Sequence, residues 1–216
     1  MKLVIGNKNY SSWSLRSWLL LSHHELPFEE VRIPLDQDDT YTTLAKYTEA
    51  GKVPVLQDGN LTVWDSLAIC EYISEQYLEG RGWPSSVRAR AEARSCSAEM
   101  HSSFPAIRGQ LPMNCRASQR HVSLSPDLAA EVVRMDRIWS KYREAYSRFG
   151  PWLFGEFSIA DCMFAPVASR FETYGIGLSE MASQYMRCLL SHEKVQEWVE
   201  QARAEPETIE MAEVGI

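Results

Sequence analysis

The stretch Asn9-Tyr10-Ser11-Ser12-Trp13-Ser14-Leu15-Arg16 decides how the rest of the chain is interpreted. It follows a short apolar run, residues 2–6, that is typical of a buried strand, and it precedes apolar positions at helical spacing. A cluster of hydroxyls therefore stands at a strand-to-helix turn, where the first backbone N–H groups of the helix have no partner. Such a turn favours negative charge, and a serine O–H adds a directional donor. The stretch predicts an anion site, with a plain helix N-cap as the alternative interpretation.

Composition narrows the class of protein. The chain has 216 residues, 45% hydrophobic and 24% charged, which is typical of a globular protein. Its net charge of −7 argues against nucleic acid or an anionic membrane as a general partner. No apolar run reaches the length of a membrane span and no signal-peptide pattern is seen, so we expect a cytoplasmic protein. The scattered cysteines and histidines show no ligand spacing, so we expect neither a disulfide framework nor a metal site.

The first 79 residues predict a small α/β domain. Apolar runs alternate with helical patterns, and Asp58-Gly59-Asn60 is a strong hairpin signal, so the expected order is βαβαββα. The predicted strands cover residues 2–6, 27–33, 53–57 and 61–64, and helices are expected at residues 41–49 and 65–78.

The remainder of the chain shows helical patterns and no strand pattern. A Gly- and Pro-marked linker at residues 80–85 separates an all-helical domain at residues 86–216. Its first helix is expected from Val87 to about Phe104, with a kinked continuation to Arg116 through Pro105 and Gly109. Ser158-Ile159-Ala160-Asp161 is a capping box in its Asp form. The remaining helices are expected at residues 127–149, 159–170, 178–190 and 192–204.

Two further motifs of the first domain bear on the anion site. Val53-Pro54 places a proline at the start of an internal strand, and a cis peptide there would present the Val53 backbone to an extended ligand. A trans proline at a strand edge is the alternative. Asp65-Ser66 opens a helix, where serine can cap the helix or bind a carboxylate and Asp65 can bind an ammonium group. A thiolate, a peptide backbone and an amino-acid head group together describe glutathione.

These motifs resemble those of the cytosolic glutathione S-transferases over nearly the whole chain. Residues 11–16 resemble the Ser-Ser-Cys-Ser-Trp-Arg signature of the zeta class, a Ser-type transferase. Residues 52–56 match the family's cis-proline segment, and residues 64–69 match the segment that binds the γ-glutamyl group. The capping box at residues 158–161 matches the one in the family's sixth helix. The resemblance implies a thioredoxin-like N-terminal domain, a helical C-terminal domain and a homodimer.

The resemblance also assigns roles by position. Ser11 is expected to donate a hydrogen bond to the glutathione sulfur, with Ser12 as alternative or support. Val53 should pair with the cysteinyl backbone and Lys52 should reach the glycyl carboxylate. The expected glutathione-binding residues are Trp13, Lys52, Val53, Pro54, Asp65 and Ser66.

Trp13 is a departure from the zeta pattern, which has cysteine at that position. Without a thiol at the turn, disulfide exchange through an enzyme cysteine is not expected. Isomerisation of maleyl compounds, a zeta-class activity, also becomes doubtful because Trp13 adds bulk beside the sulfur.

The electrophile is expected between the two domains. Arg108 is the candidate for stabilising an anion that develops on an acceptor. The residues expected to line this mostly apolar pocket, which alternatively only pack the domain interface, are Tyr10, Met100, His101, Phe104 and Arg108.

The sequence therefore predicts a detoxifying transferase that joins glutathione, its co-substrate, to small electrophiles, with no metal. Two alternatives stay open: a glutathione-dependent isomerase or dehalogenase, and a non-catalytic interaction or stress protein that keeps the fold.

Overall fold

The computed structural model describes residues 1–215 of the 216-residue chain. Its N-terminal part has the predicted order of four strands and three helices. These elements are β1 (Lys2–Ile5), α1 (Ser12–His23), β2 (Glu29–Arg32), α2 (Thr40–Leu44), β3 (Val55–Asp58), β4 (Leu61–Trp64) and α3 (Ser66–Tyr77).

The sheet has the strand order β2-β1-β3-β4. β1 pairs in parallel with β2, with Val4 opposite Val31, and antiparallel with β3, with Leu3 opposite Leu56. β3 and β4 form the predicted antiparallel hairpin, whose turn contains Gly59 at a φ of +57°. Glycine adopts that left-handed conformation without a steric penalty, which is why the turn forms there. α1 and α3 pack against each other, so the turn before α1 and the start of α3 lie side by side.

The C-terminal part is helical. Its helices are α4 (Val87–Ser102), α5 (Pro105–Gln110), α6 (Pro126–Tyr146), α7 (Ile159–Thr173), α8 (Glu180–Leu190) and α9 (Glu193–Arg203). Helix α7 is the centre of this half, because nearly every residue of it is buried and it packs against α1, α4 and α8. The capping box opens α7 as predicted: the Asp161 carboxylate accepts the Ser158 backbone N–H at 2.8 Å.

The helix expected from Val87 to about Phe104 is present as α4, but its expected kinked continuation to Arg116 is wrong. The chain breaks completely at Phe104, whose φ of +66° is left-handed, and Pro105 begins a separate helix. Proline lacks the N–H that a continuous helix needs and crowds the residue before it, but it suits the first turn of a new helix. Residues 111–125 then contain no helix. The structure therefore has two helices where the sequence predicted one.

The two parts are tied together beside the start of α1. Trp198 of α9 donates its indole N–H to the Lys8 carbonyl at 2.8 Å, and the Glu205 carboxylate accepts the backbone N–H of Lys8 at 2.7 Å. These contacts hold the loop before α1 against the helical domain. Within residues 1–215, no helix combines the length and apolarity that crossing a membrane requires.

Candidate functional site

A cavity of about 480 Å³ opens between the start of α1, the loop before β3 and the start of α3. It contains all six residues predicted to bind glutathione, together with Ala50 and Trp64. The Val53–Pro54 peptide bond is cis, as the sequence predicts. The lining residues are Trp13, Ala50, Lys52, Val53, Pro54, Trp64, Asp65 and Ser66.

Asp65 and Ser66 form one end of this cavity. Asp65 is the N-cap of α3, and its carboxylate accepts the backbone N–H groups of Leu67 at 2.9 Å and Ala68 at 3.2 Å. Its backbone is held at a φ of +81°, a strained conformation that is found most often at functional sites. Ser66 is 1% exposed, and its hydroxyl has no hydrogen-bond partner among residues 1–215. A buried polar atom without a partner costs free energy, and such an atom in a native structure calls for an explanation.

Ser11 occupies the N-cap position of α1. Its Oγ accepts the backbone N–H of Ser14 at 3.4 Å and lies 2.7 Å from the Ser14 Oγ. The Ser14 Oγ in turn accepts the backbone N–H of Gly6 at 3.1 Å. The Ser11 hydroxyl is therefore held in a short chain of local hydrogen bonds at the turn.

Ser12 makes a different contact. Its Oγ accepts a hydrogen bond at 3.1 Å from the Nη2 of Arg170, which projects from α7 in the other half of the molecule. Arg170 also donates to the backbone carbonyls of Arg108, at 3.3 Å, and of Leu111. The two serines at the turn thus differ, because within residues 1–215 a cation donates to Ser12 but not to Ser11.

Trp13 joins the cavity to the helical domain. The guanidinium carbons of Arg16 and Arg108 lie 4.4 and 4.5 Å from its ring centroid, which are cation–π distances. The ring of His101 meets it edge-on at 5.2 Å. The His101 Nε2 lies 2.9 Å from the Asp65 carboxylate, so α4 reaches the cavity through this pair.

Burial perturbs the ionisable groups around Trp13. It lowers the pKa of Arg16 to about 9, with repulsion from Arg108 and Arg170 adding to the effect. Burial also lowers the pKa of Arg170 to about 10, and it lowers the pKa of His101 although Asp65 opposes that shift. Both arginines stay protonated at neutral pH, so the site carries concentrated positive charge.

The structure brings some of the residues expected in the electrophile pocket together and places others elsewhere. His101 and Arg108 surround Trp13, although Arg108 also donates from its Nε to the Ser103 carbonyl at 3.0 Å. Met100 and Phe104 are 2% and 3% exposed and belong to the main hydrophobic core.

Tyr10 lies in a different network. Its hydroxyl donates to the Glu213 carboxylate at 2.7 Å and accepts a hydrogen bond from Arg116 at 2.8 Å. It therefore anchors the C-terminal segment against the loop before α1.

Sequence reasoning assigned no role to Arg16, Arg170 or Glu213. Arg16 is the last residue of the stretch that opens the first helix. The apolar residues around it in the sequence indicate that its side chain is buried. Arg170 and Glu213 gave no signal, because they reach the turn only through the fold. No cluster of three or more potential metal-ligating side chains occurs among residues 1–215.

Two family models match this chain. The N-terminal domain of glutathione S-transferases matches residues 10–76, and the C-terminal domain matches residues 125–203. Among curated relatives, the dichloromethane dehalogenase of Methylorubrum extorquens is 39% identical over 61 residues, or 27% of this chain and 21% of the dehalogenase. The glutathione S-transferase T2 of Arabidopsis thaliana is 25% identical over 94% of this chain and 35% of the plant protein. These matches thus span about a third or less of each relative's length.

Solved structures share the fold. A glutathione transferase homologue from Burkholderia, solved with bound glutathione, superposes with a TM-score of 0.69 over 94% of this chain and 98% of its own, at 22% identity. A diazinon-metabolizing glutathione S-transferase of the silkworm Bombyx mori gives a TM-score of 0.72 over 94% and 97%, at 19% identity.

Three observations agree with one another. They are the two domain matches, the four-stranded sheet followed by a helical domain, and the cavity at the cis-proline. The chain belongs to the cytosolic glutathione S-transferase family.

Proposed function

We propose that this protein is an enzyme that binds glutathione in the cavity at the start of α1 and transfers it to a small electrophile. The observation that carries the proposal is the unpartnered, buried Ser66 hydroxyl in a cavity lined by Lys52, Val53 and Asp65. In the proposed complex, Ser66 donates to the γ-glutamyl carboxylate and Asp65 accepts from the ammonium group. Val53 pairs with the cysteinyl backbone, and Lys52 holds the glycyl carboxylate.

The proposed chemistry is activation of the thiol. A free thiol has a pKa of about 8.5, so it is mostly protonated at neutral pH. A hydrogen bond to a charged acceptor contributes about 1.5–3 kcal/mol, and a helix N-terminus up to about 2 kcal/mol. At about 1.36 kcal/mol per pH unit, these contributions lower the thiol pKa by roughly one to three units. In this proposal a hydroxyl of the Ser11–Ser12 pair supplies the hydrogen bond, and no histidine base is needed.

The thiolate then attacks an electrophilic carbon beside Trp13. His101 and Arg108 contact the Trp13 ring, and we assign this side of the indole to the electrophile. In the proposal Arg108 stabilises negative charge on the acceptor. The indole at residue 13 leaves less room than the zeta-class cysteine, so the proposal favours conjugation over isomerisation. A solved zeta-class relative, a maleyl pyruvate isomerase, shares the fold at a TM-score of 0.66 and 17% identity.

A second candidate function is glutathione-dependent dehalogenation. It is favoured by the local identity to dichloromethane dehalogenases, 39% over 61 residues in one and 33% over 70 residues in another. The same thiolate would displace one halide from a dihalogenated carbon and form a halogenated thioether. Water would then hydrolyse that thioether, which releases the second halide, a carbonyl product and free glutathione.

The wider expectations belong to the same proposal. Family resemblance supports a cytoplasmic homodimer in which each cavity is bordered by the neighbouring subunit. The exposed Trp64, at 57% on the edge strand β4, is the side chain that we assign to the covered face.

Glutathione consumption tests the proposed function. The wild type, Ser11→Ala and Ser12→Ala proteins are each incubated with glutathione and one electrophile at a time. The electrophiles are aryl halides, epoxides, enones, maleyl compounds and dichloromethane. The proposal expects a consumed thiol and a conjugate with at least one electrophile, and a loss of rate in one serine variant. Halide release without an accumulated conjugate identifies the dehalogenase instead. Regenerated glutathione with an isomerised product, or no turnover of any electrophile, contradicts both candidates.

A further inference from the structure

The guanidinium groups of Arg16 and Arg108 lie against the indole of Trp13, and that of Arg170 is close enough to repel both. We call these three side chains the arginine cluster. Arg16 is 1% exposed, and its Nε and Nη1 have no hydrogen-bond partner among residues 1–215. Arg170 is 6% exposed and donates to two carbonyls and to the Ser12 hydroxyl. None of the three forms a salt bridge with a carboxylate of the described residues.

The nearest carboxylates are already engaged. Asp65 attracts Arg16 electrostatically, but its oxygens accept two helix N–H groups and contact His101. Glu131 attracts Arg108, but its oxygens accept the backbone N–H groups of Ala106 at 3.2 Å and Ile107 at 2.8 Å. Neither attraction offsets the cost of burial. Burial is the largest influence on both side chains, and the net effect is a lowered pKa for Arg16 and for Arg108.

The neighbouring thiols do not balance the charge either. Cys70 donates to the Arg16 carbonyl, and burial raises the pKa of its thiol to about 12. Cys115, which lies near Arg170, has a pKa raised to about 11 by burial. Both thiols are therefore neutral at physiological pH, and the arginine cluster lacks a counter-charge.

An uncompensated buried cation is costly, and buried charges in proteins are normally paired with an opposite charge. Ser12 accepts a hydrogen bond from Arg170 and stands next to Trp13 in the chain. Trp13 lines the cavity and Ser12 does not, so Ser12 lies at the margin of the cavity on the side of the arginine cluster. With its oxygen engaged by a cation, the Ser12 O–H becomes a stronger donor, and residues 1–215 offer that hydrogen no acceptor.

We propose that the glutathione thiolate supplies the missing negative charge, and that Arg170 acts on it as a positioning residue through Ser12. Ser12 is then the hydroxyl that touches the sulfur, while Ser11 caps the helix. This inference rests on the proposed function, since it assigns the residues that ionise the bound thiol. It reverses the order in which the sequence ranks the two serines.

The test is the pKa of the thiol in the enzyme–glutathione complex, measured from the ultraviolet absorbance of the thiolate across pH. The wild-type complex should titrate below the value of about 8.5 for a free thiol. Because an opposite charge nearby typically moves a pKa by one to three units, we expect Arg170→Met to raise the thiol pKa by roughly one unit. Ser12→Ala should raise it similarly, and the double variant should raise it by less than the two separate effects combined.

Three further variants make the result decisive. Arg170→Lys keeps the positive charge and should restore part of the shift, which a purely structural role of the guanidinium would not allow. Arg134→Met removes a surface arginine that is paired with Glu99 and should leave the thiol pKa unchanged. Ser11→Ala should weaken the helix cap and reduce stability without moving the titration.

The inference is overturned if Ser11→Ala raises the thiol pKa while Ser12→Ala and Arg170→Met leave it at the wild-type value. If Arg170→Met does not fold, Ser12→Ala and Arg170→Lys decide the question by the same titration. A wild-type protein that binds no glutathione in calorimetry would instead defeat the proposed function itself. The two failures are therefore distinguishable.

Discussion

Ser66 combines two properties that rarely coexist in a protein interior. It is 1% exposed, yet its hydroxyl has no partner among the described residues, although it stands at the first turn of α3 beside an open cavity. The strained backbone of Asp65 directly before it presents the helix N-terminus to that cavity. An unpartnered buried hydroxyl and a strained backbone both reduce stability, and such features occur mostly at functional sites.

Replacement of Ser66 by alanine separates binding from folding. Because its hydroxyl bonds to nothing in the free protein, Ser66→Ala should leave the free energy of unfolding unchanged or raise it by up to about 1 kcal/mol. Affinity for glutathione should fall about tenfold, which corresponds to one lost hydrogen bond of about 1.4 kcal/mol. Chemical denaturation and calorimetric titration measure the two quantities.

Ser74 provides a matched control on the same helix, since it is equally buried but its Oγ accepts the Gly82 N–H at 3.2 Å. Ser74→Ala should reduce stability by about 1 kcal/mol and leave glutathione affinity unchanged. A loss of stability in Ser66→Ala with unaltered affinity would contradict the role given to Ser66.

The motifs of the cavity were predictable from sequence for a physical reason. Val53-Pro54 and Asp65-Ser66 are pairs of neighbouring residues whose backbone conformation depends on the two residues themselves. Their roles could therefore be predicted without knowing the fold. The contact of Arg170 with Ser12 joins residues at opposite ends of the chain. Nothing in the pattern around either residue indicates the other, so the arginine cluster could not be predicted.

Helix α7 depends on one buried carboxylate. Asp161 accepts hydrogen bonds from the Ser158 N–H, the Leu153 N–H at 3.0 Å and the Tyr185 hydroxyl at 2.8 Å. Burial raises the pKa of Asp161 to about 6, although these hydrogen bonds oppose the shift. The element that carries Arg170 to the site is thus fixed at its first turn by this side chain.

Removal of the Asp161 carboxylate should destabilise the whole domain. Asp161→Ala leaves several buried donors without acceptors, and each costs about 1–3 kcal/mol, so we expect a loss of about 3 kcal/mol or more in the free energy of unfolding. Asp136 is the control, because its half-buried carboxylate likewise accepts from the Ser179 N–H, at 2.6 Å, and from the Ser140 hydroxyl. Asp136→Ala should cost no more than about 1 kcal/mol, since water replaces its bonds. Equal losses in the two variants would contradict this account of α7.

Helix boundaries show where local patterns fail. The start of α7 was predicted because the capping box is a short motif, and the structure confirms it. The break at Phe104 was predicted only as a kink, because Pro105 is compatible with either a kink or a break. The left-handed backbone at Phe104 decides for the break.

At the scale of the whole molecule, a histidine pair joins the two halves. The His23 Nδ1 at the end of α1 lies 2.8 Å from the His192 Nε2 at the start of α9. The His192 Nδ1 accepts the Lys194 N–H at 3.0 Å, so its Nε2 carries the hydrogen and donates to His23. His23 also stacks on Phe157 with 3.8 Å between ring centroids. The hydrogen bond between the two histidines requires the His23 Nδ1 to be unprotonated, so that it can accept.

Acid should therefore weaken the junction between the halves. Burial lowers the pKa of His23 from its ordinary 6.5 to about 4, with repulsion from His24 and His192 adding to the effect. Because the folded pKa lies below the unfolded one, the unfolded state binds more protons between these values, and stability is lost as pH falls from 6.5 toward 4. Allowing for the solvent that reaches a half-buried group, we expect a loss of about 1 kcal/mol over that range.

The variant His23→Phe keeps the stack on Phe157 but cannot be protonated. Its free energy of unfolding should fall less than that of the wild type between pH 6.5 and 4. His121→Phe, at an exposed position, should retain the wild-type slope. Parallel pH curves for wild type and His23→Phe would exclude His23 as the source of acid sensitivity.

The order of elements was predictable because it depends on short-range patterns, and the family resemblance supplied the packing of the two halves. The contacts between the halves, such as His23 with His192, depend on tertiary placement and were not predicted.

The central claim is that the cavity at the start of α1 binds glutathione, and a crystal structure of this protein soaked in glutathione tests it most directly. We predict the tripeptide in the cavity, with its γ-glutamyl carboxylate within hydrogen-bond distance of the Ser66 Oγ and its sulfur at the N-terminus of α1. A cavity that stays empty at saturating glutathione, or a tripeptide bound elsewhere on the molecule, would contradict the account.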